Sequence, residues 1–422
     1  MITGDEDLLA GLDDVDWTNL SHAYGTADDV PGHLRALCSH DERALRQAVN
    51  SLFNSLAHQG NRCQASPYVV PFLARIARLG PDPAREHALH LLTGLAVNWD
   101  EESEIIDGAD ISAWRAEAAE NAPVRLLPAY EEALATERDE QRRCNLQQVR
   151  DWMAAGNPID ARDSSMRSYD AVLAEIPALL GLLRDEELRV RTRAAYLLAW
   201  FPELSDTAVP LLRDFAAHEH DSVAKATSLV AVGILGAPDL VEVLADDLKA
   251  EDALVRWAAA TAIAQTARSG EKVEAPLLER AVAELAAAAA APAPVPATDY
   301  GNGDFHGLTA DLLIALPTSA ASRDAVAACL PSVDRSLLAF KAKTVLPSLF
   351  PDPLSLPRPL FASLHPSQQQ FLCALADLYE GWWNTGGDIG AILNAYGLPA
   401  TQAGLRVYTG LSPAVPESAT DL

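Results

Sequence analysis

At 422 residues the chain is longer than one compact hydrophobic core can serve, so it is either several domains or an extended array whose core runs along its length. A hydrophobic fraction of 49% with only 6% aromatic residues suits small-residue helix contacts and argues against a β-sandwich or a large aromatic core. The formal charge of -27 repels phosphate backbones, which removes nucleic acid from the expected partners.

Residues 1–29 form an acidic opening with Asp13, Asp14, Asp16, Asp28 and Asp29, and read as a solvated segment. The start MITGDEDLLAGLDD has neither a basic nor an apolar leader region, and no window reaches the roughly 18 apolar residues of a membrane span. The expectation is therefore a cytoplasmic chain with no membrane partner. Its heavy use of Ala, and of Arg over Lys, fits a GC-rich bacterial genome.

Residues 30–165 read as degenerate helical hairpins stretched by insertions. HLRALCSHDERALRQAVNSLFNSLAH from His33 and FLARIARLGPDPAREHALHLLTGLAV from Phe72 share one order, helix, acidic turn, helix, with Leu45-Arg46 and Ala84-Arg85 opening the second helix. PAYEEALATERDEQRRCNLQQVRDWM from Pro128 is a looser copy turning at Asp139, and HQGNRCQASP and NWDEESEIIDGADIS are insertions.

Residues 166–290 repeat most regularly. RDEELRVRTRAAYLLAWF from Arg184, HEHDSVAKATSLVAVGIL from His218 and KAEDALVRWAAATAIAQT from Lys249 align on Val190, Val223 and Val255, spaced by 33 and 32 residues. Asp185, Asp221 and Asp252 sit in the turns, where a carboxylate caps the free N–H groups of the second helix. Residues 291–307 are an Ala/Pro/Gly linker, residues 308–411 carry further helices and a terminal cap, and 412–422 is a flexible tail. The cap region includes a looser hairpin turning at Asp334, and a Trp382-Trp383 pair of which one ring faces the core.

The acidic turn followed by V-R-x-x-A-A resembles the HEAT-repeat family, in its short lyase-type form. Val190-Arg191 with Ala194 and Ala195 and Val255-Arg256 with Ala259 and Ala260 match, whereas Val223-Ala224 departs, with Lys225 one position late. The resemblance implies an all-α fold, a right-handed α-solenoid of stacked antiparallel helical hairpins, irregular at both ends. It says little about function.

Strong catalytic motifs are missing: there is no phosphate-binding glycine loop, G-x-S-x-G elbow, H-E-x-x-H or dinucleotide fingerprint, and GNGDFHG from Gly301 reads as a turn. The cysteines Cys38, Cys63, Cys144, Cys329 and Cys373 lack metal or disulfide spacing and read as small core hydrophobes. His87 and His90 share a helix face beside Glu86, and His218 lies in a turn; these are the weak metal candidates. HEAT-like deoxyhypusine hydroxylases hold di-iron with His-Glu pairs, but Glu86-His87 is reversed here and His218-Glu219 stands alone.

Aligning the second helices places Ser51, His90, Tyr196, Leu229 and Thr261 five residues past the basic position, and Ser55, Gly94, Trp200, Gly233 and Gln265 nine past it. That stripe is expected to line a concave face, with Tyr196 and Trp200 as an exposed aromatic platform. The candidate binding residues are Ser51, Ser55, His58, His90, Tyr196, Trp200, Thr261 and Gln265. The expected function is a non-catalytic scaffold that binds a protein or peptide, basic by preference, with no cofactor. Two alternatives stay open: a HEAT-like enzyme, either a metal-dependent hydroxylase or a lyase acting on a bound chromophore, and a HEAT-like DNA glycosylase. The latter group lines its groove with basic residues where this chain has Ser, Thr, Gly and aromatics.

Overall fold

The computed structural model describes residues 8–97, 102, 108–120, 123–154, 161–236, 241–269, 272–316, 325–326, 332–333, 342–343, 345–355, 357–378, 383 and 389–411. The chain is all-helical, with 18 α-helices among the described residues. Extended structure there is confined to one antiparallel pair, β1 (Ser21–His22) and β2 (Gly25–Thr26), with Ser21 opposite Thr26. None of the described helices is long and apolar enough to cross a membrane. Two compact units divide between Glu219 and His220, inside the stretch whose sequence repeats most regularly.

The first unit begins with two hairpins, α1 (Val30–Leu37) with α2 (Glu42–Leu56) and α3 (Ser66–Leu79) with α4 (Asp82–Ala96). Asp41 starts α2 by accepting the N–H groups of Arg43 (2.9 Å) and Ala44 (3.4 Å), and Leu45, Ala48, Val49, Leu52 and Leu56 give the helix one buried face. After α5 (Ile111–Glu120), α6 (Pro123–Thr136) and α7 (Glu140–Ala154), α8 (Ala161–Leu179) tightens into a 3-10 turn over Leu180–Arg184. Then come α9 (Leu188–Leu198) and α10 (Ser205–His218). Helix α4 packs against both α2 and α9, while α8 packs on α3 and α4, so the hairpin core passes straight over the 97–160 insertion.

That insertion is tied back by Arg115 of α5, whose guanidinium takes both oxygens of Asp170 (2.7 and 3.1 Å) and reaches Glu203 (3.4 Å). Beneath it the fully buried Tyr169 hydroxyl donates to Glu203 (2.7 Å), with the Trp200 carbonyl at 3.0 Å. Burial first, and then the Glu203 carboxylate, push that phenol well above its ordinary range.

In the second unit α11 (Ser222–Ile234), α12 (Val241–Asp247), α13 (Ala253–Arg268), α14 (Ala275–Ala290) and α15 (Phe305–Ala315) follow in order. Helix α13 touches all four of the others and is buried on every side from Trp257 to Thr266, which is why its residues are mostly Ala. Farther along, α16 (Pro366–Ala376), α17 (Ile389–Ala395) and α18 (Gln402–Thr409) follow, with α16 packed on α18.

The Ala/Pro part of the segment read as a linker is largely exposed, with Val295 94% exposed, and only its end packs onto this unit. Tyr300 is 1% exposed and its hydroxyl donates to the Thr227 carbonyl (3.1 Å), while buried His306 bonds the Ala291 carbonyl through Nε2 (2.9 Å). Alternating Ala-Pro rules out a helix there, but the aromatic residues that follow still bury.

Asp221 and Asp252 cap α11 and α13 as expected, each accepting two backbone N–H groups. Asp185 differs: it accepts only the Glu187 N–H (3.0 Å), Glu187 occupies the cap position, and the carboxylate is turned to an arginine. Cys144 is exposed, against the core reading, because the lone hairpin α6–α7 leaves much of α7 uncovered; the described cysteines are free thiols. Trp383 is 8% exposed. Trp382, Asp334, Cys329 and residues 412–422 lie outside the described residues.

Asp252 does two jobs, capping α13 and accepting the Ser222 hydroxyl (2.6 Å). Replacing Asp252 with Ala is expected to cost about 1–2 kcal/mol in urea unfolding, and Asp221→Ala about 1 kcal/mol.

Candidate binding cleft

The stripe expected to face solvent is the seam between helices. Tyr196 (3% exposed), Trp200 (1%), Ser55, Thr261 and Gln265 are all buried. Tyr196 and Trp200 meet edge to face at 5.8 Å, and the Trp200 carbonyl lies 3.0 Å from the Tyr169 hydroxyl oxygen. The exposed-platform reading is therefore corrected: the columns five and nine residues past the anchor point at the neighbouring second helix. The glycines in the second column show why. A Cβ on Gly233 would stand 2.5 Å from the Ala262 Cα, and one on Gly94 would stand 2.8 Å from the Phe53 ring. Ser55 turns its hydroxyl back to the Ser51 carbonyl (2.7 Å). Ser51 and His90 are half-buried, with His90 stacked on exposed Phe53 at 5.6 Å and 9°.

The histidines are placed apart. The Tyr24 hydroxyl lies 3.2 Å from His58 Nδ1. Nearby, His22 Nδ1 accepts the Tyr24 N–H (3.0 Å), so Nε2 carries the proton and donates to Asp29 (2.9 Å), which leaves the ring no free lone pair for a metal. Around His87, Glu86 is held by Arg189 (3.4 Å) and Arg193 (3.9 Å). Burial chiefly, with Arg193 and Arg189 adding and Glu86 opposing, pushes the His87 imidazole below its usual range. His218 sits on α10 and bonds Asp214 (2.8 Å to its carbonyl). Among the described residues no group of three or more His, Cys, Asp or Glu side chains could hold a metal ion.

The concavity of the first unit lies elsewhere, between the Leu180–Arg184 turn and α10, with a volume of about 530 Å³. Leu180, Leu183, Leu211 and Phe215 give apolar walls. At Gly181 an added Cβ would meet nothing within 4 Å. The floor is an ion pair, Arg191 Nε to Glu219 (2.6 Å), whose carboxylate side chain is 7% exposed. Arg191 Nη1 also donates to the Glu186 carbonyl (3.0 Å) and lies 3.4 Å from that of Asp185. On the rim, Arg184 pairs with Asp214 (3.3 Å).

Arg256 repeats this arrangement in the second unit. Its Nε pairs with Glu284 (2.8 Å), and its Nη1 donates to the carbonyls of Ala250 (2.9 Å) and Glu251 (2.8 Å). Both arginines thus bond carbonyls five and six residues back and a carboxylate 28 residues ahead. The Val-Arg anchors are plain in the sequence; Glu219 is noticed there only as the neighbour of His218 and Glu284 not at all, although a shared 28-residue spacing links each to its arginine.

Beside the cleft, Arg85 of α4 holds Asp185 through both terminal nitrogens and donates to the Ala77 carbonyl (3.1 Å). Burial alone would raise the Asp185 carboxyl; Arg85, the Glu187 N–H and Arg191 outweigh it and hold the group below the ordinary value of 3.8.

No protein-family model matches the chain, and no curated protein matches it. Among solved structures it is similar to an engineered protein determined by a structural genomics consortium, at 17% identity over 91% of this chain and 97% of that one, with a TM-score of 0.26. A likeness that low carries no weight for fold or function.

Arg191→Ala leaves Glu219 buried without its cation and is expected to cost about 3 kcal/mol, whereas Arg46→Ala, which removes an exposed pair with Glu42, should cost under about 0.5 kcal/mol; denaturant unfolding compares the two. Because the folded Asp185 carboxyl titrates below its unfolded value, its stabilisation is complete above about pH 5 and is lost as pH falls through the folded value, below 3.8. The stability gap between wild type and Asp185→Asn, measured across pH 7 to 3, should therefore shrink toward acid.

Proposed function

We propose that this chain is a HEAT-like helical-repeat module that binds a protein or peptide partner without chemistry of its own. The hairpins stack as a solenoid, and the cleft between Leu180–Arg184 and α10 takes an apolar side chain flanked by a basic one. The observation that carries this reading is the cleft: leucine and phenylalanine walls, the three carboxylates of Asp185, Asp214 and Glu219 against the two arginines Arg184 and Arg191, and open space above Gly181. Support for the repeat comes from the matched bonding of Arg191 and Arg256, a device that a unique globular fold has no reason to make twice. The charge of -27 supports a basic partner and a salt-sensitive encounter.

Selection of displayed random peptides on the full chain tests it. The recovered peptides should pair Lys or Arg with Leu or Phe, and should bind at least tenfold more weakly at 0.5 M salt than at 0.05 M. Gly181→Trp, which fills the cleft from a position with free space, should weaken them by a further factor of ten or more. Peptides that bind Gly181→Trp as tightly as wild type would place recognition elsewhere and sink the cleft.

A further inference from the structure

A second cavity of the first unit lies between the start of α3 and the first turns of α8. It encloses about 280 Å³ and is lined by Cys63, Gln64, Pro67, Tyr68, Ser164 and Arg167. We propose that it binds a small planar aromatic molecule bearing one negative charge, an arylcarboxylate. The proposal is independent of peptide binding at the α10 cleft.

Ser164 provides the first argument. It is 5% exposed, it lines the cavity, and its hydroxyl has no hydrogen-bond partner among the described residues. The hydroxyl opens on the cavity, so an acceptor on a bound molecule takes the place water would otherwise hold. Being in the first turn of α8, Ser164 also stands at the positive end of that helix.

Arg167, one turn on, supplies the charge. Its Nε pairs with Asp163 (2.9 Å), while its side chain is 58% exposed and its terminal nitrogens make no other hydrogen bond or ion pair among the described residues. A carboxylate fits that fork. The Asp163 carboxylate beside it repels a second negative charge, which selects a monoanion over a phosphate dianion. Burial pushes the Cys63 thiol up, so this wall adds no negative charge.

The remaining walls set shape. Tyr68 presents a ring 48% exposed, and Pro67 precedes it on α3, a pair of flat apolar surfaces suited to an aromatic ring. Gln64 is fixed because its Oε1 accepts from both the N–H and the hydroxyl of Ser21, each at 3.2 Å. A volume of about 280 Å³ is ample for one small ring with its carboxylate.

Saturation-transfer NMR and calorimetric titration of the full chain with sodium benzoate test the proposal, with benzamide and inorganic phosphate as comparisons. Benzoate should saturate with a Kd of about 0.1–1 mM, benzamide should bind at least tenfold more weakly, and phosphate should not displace benzoate. Arg167→Gln and Tyr68→Ala, both at exposed side chains, should weaken benzoate about tenfold and keep the wild-type circular dichroism spectrum. Ser164→Ala should weaken it about threefold or more while leaving the melting temperature unchanged or raised, since no bond within the protein is lost. The proposal is overturned by any of three results on the unaltered chain: no saturable benzoate signal up to 10 mM, benzamide binding as well as benzoate, or displacement by phosphate. Variants that bind like wild type overturn it too.

Discussion

A hairpin turn leaves backbone carbonyls that no helix can reach, and in this chain one arginine answers for them. Arg191 and Arg256 each bond two such carbonyls through Nη1 and, through Nε, a carboxylate that follows the next helix start by most of a helix length. Lys225, one position out of register, has a single charge point and among the described residues pairs with Asp247 alone (2.8 Å). Opposite the carbonyls, Asp221 and Asp252 take the free N–H groups of the second helices. The turns are closed by local polar bonds, and the helices between them are freed to be almost entirely apolar and small.

That freedom shapes the interior. With glycine at positions 94 and 233, second helices approach until a Cβ would overlap the neighbour, and α13 can be buried on all sides. Large rings gather in two places: Tyr169 stacks on Phe201 at 5.1 Å, next to Trp200, Tyr196 and Trp114, and Trp257 of α13 meets Phe305 of α15 at 4.7 Å. The cleft follows from a similar local cause. Helix α8 carries Pro177 near its end and tightens into a 3-10 turn with Gly181 in it, so this hairpin offers less side-chain bulk toward α10 and leaves space above the Arg191 pair.

How much of this was legible follows from what a period encodes. The spacing of Val190, Val223 and Val255 shows which residues are equivalent, and the caps at Asp221 and Asp252 follow from that alone. It does not show which side of the helix meets water. The glycines at 94 and 233, in one column with Trp200 and Gln265, were the signal that this column is a contact seam. Asp185 escaped its expected role because Arg85, a hundred residues earlier in the chain, competes for its carboxylate, and no local pattern announces a partner so distant. At 291–307 the Ala-Pro alternation speaks for the exposed, non-helical first part and is silent on the end, where Tyr300 and His306 bury and find backbone carbonyls.

The arginine device also bears on what the surface offers to a partner. The chain has 32 basic side chains against 59 acidic ones, and several of the basic groups are committed inside. Arg62 is 3% exposed and bonds the carbonyls of Gly60 and Ala96; Arg85, Arg191 and Arg256 have side chains 12%, 21% and 29% exposed and serve turns and hairpin contacts. A guanidinium whose donors are spent on carbonyls and a neighbouring carboxylate projects little field outward. Acidic groups such as Asp13 and Asp82 stay 82% and 72% exposed although each meets an arginine, Asp13 with Arg35 at 2.6 Å and Asp82 with Arg85 at 3.5 Å. Because Arg85, Arg191 and Arg256 each take a carboxylate inside with them, these pairs leave the chain's excess of acid unchanged, and that excess favours a cationic partner.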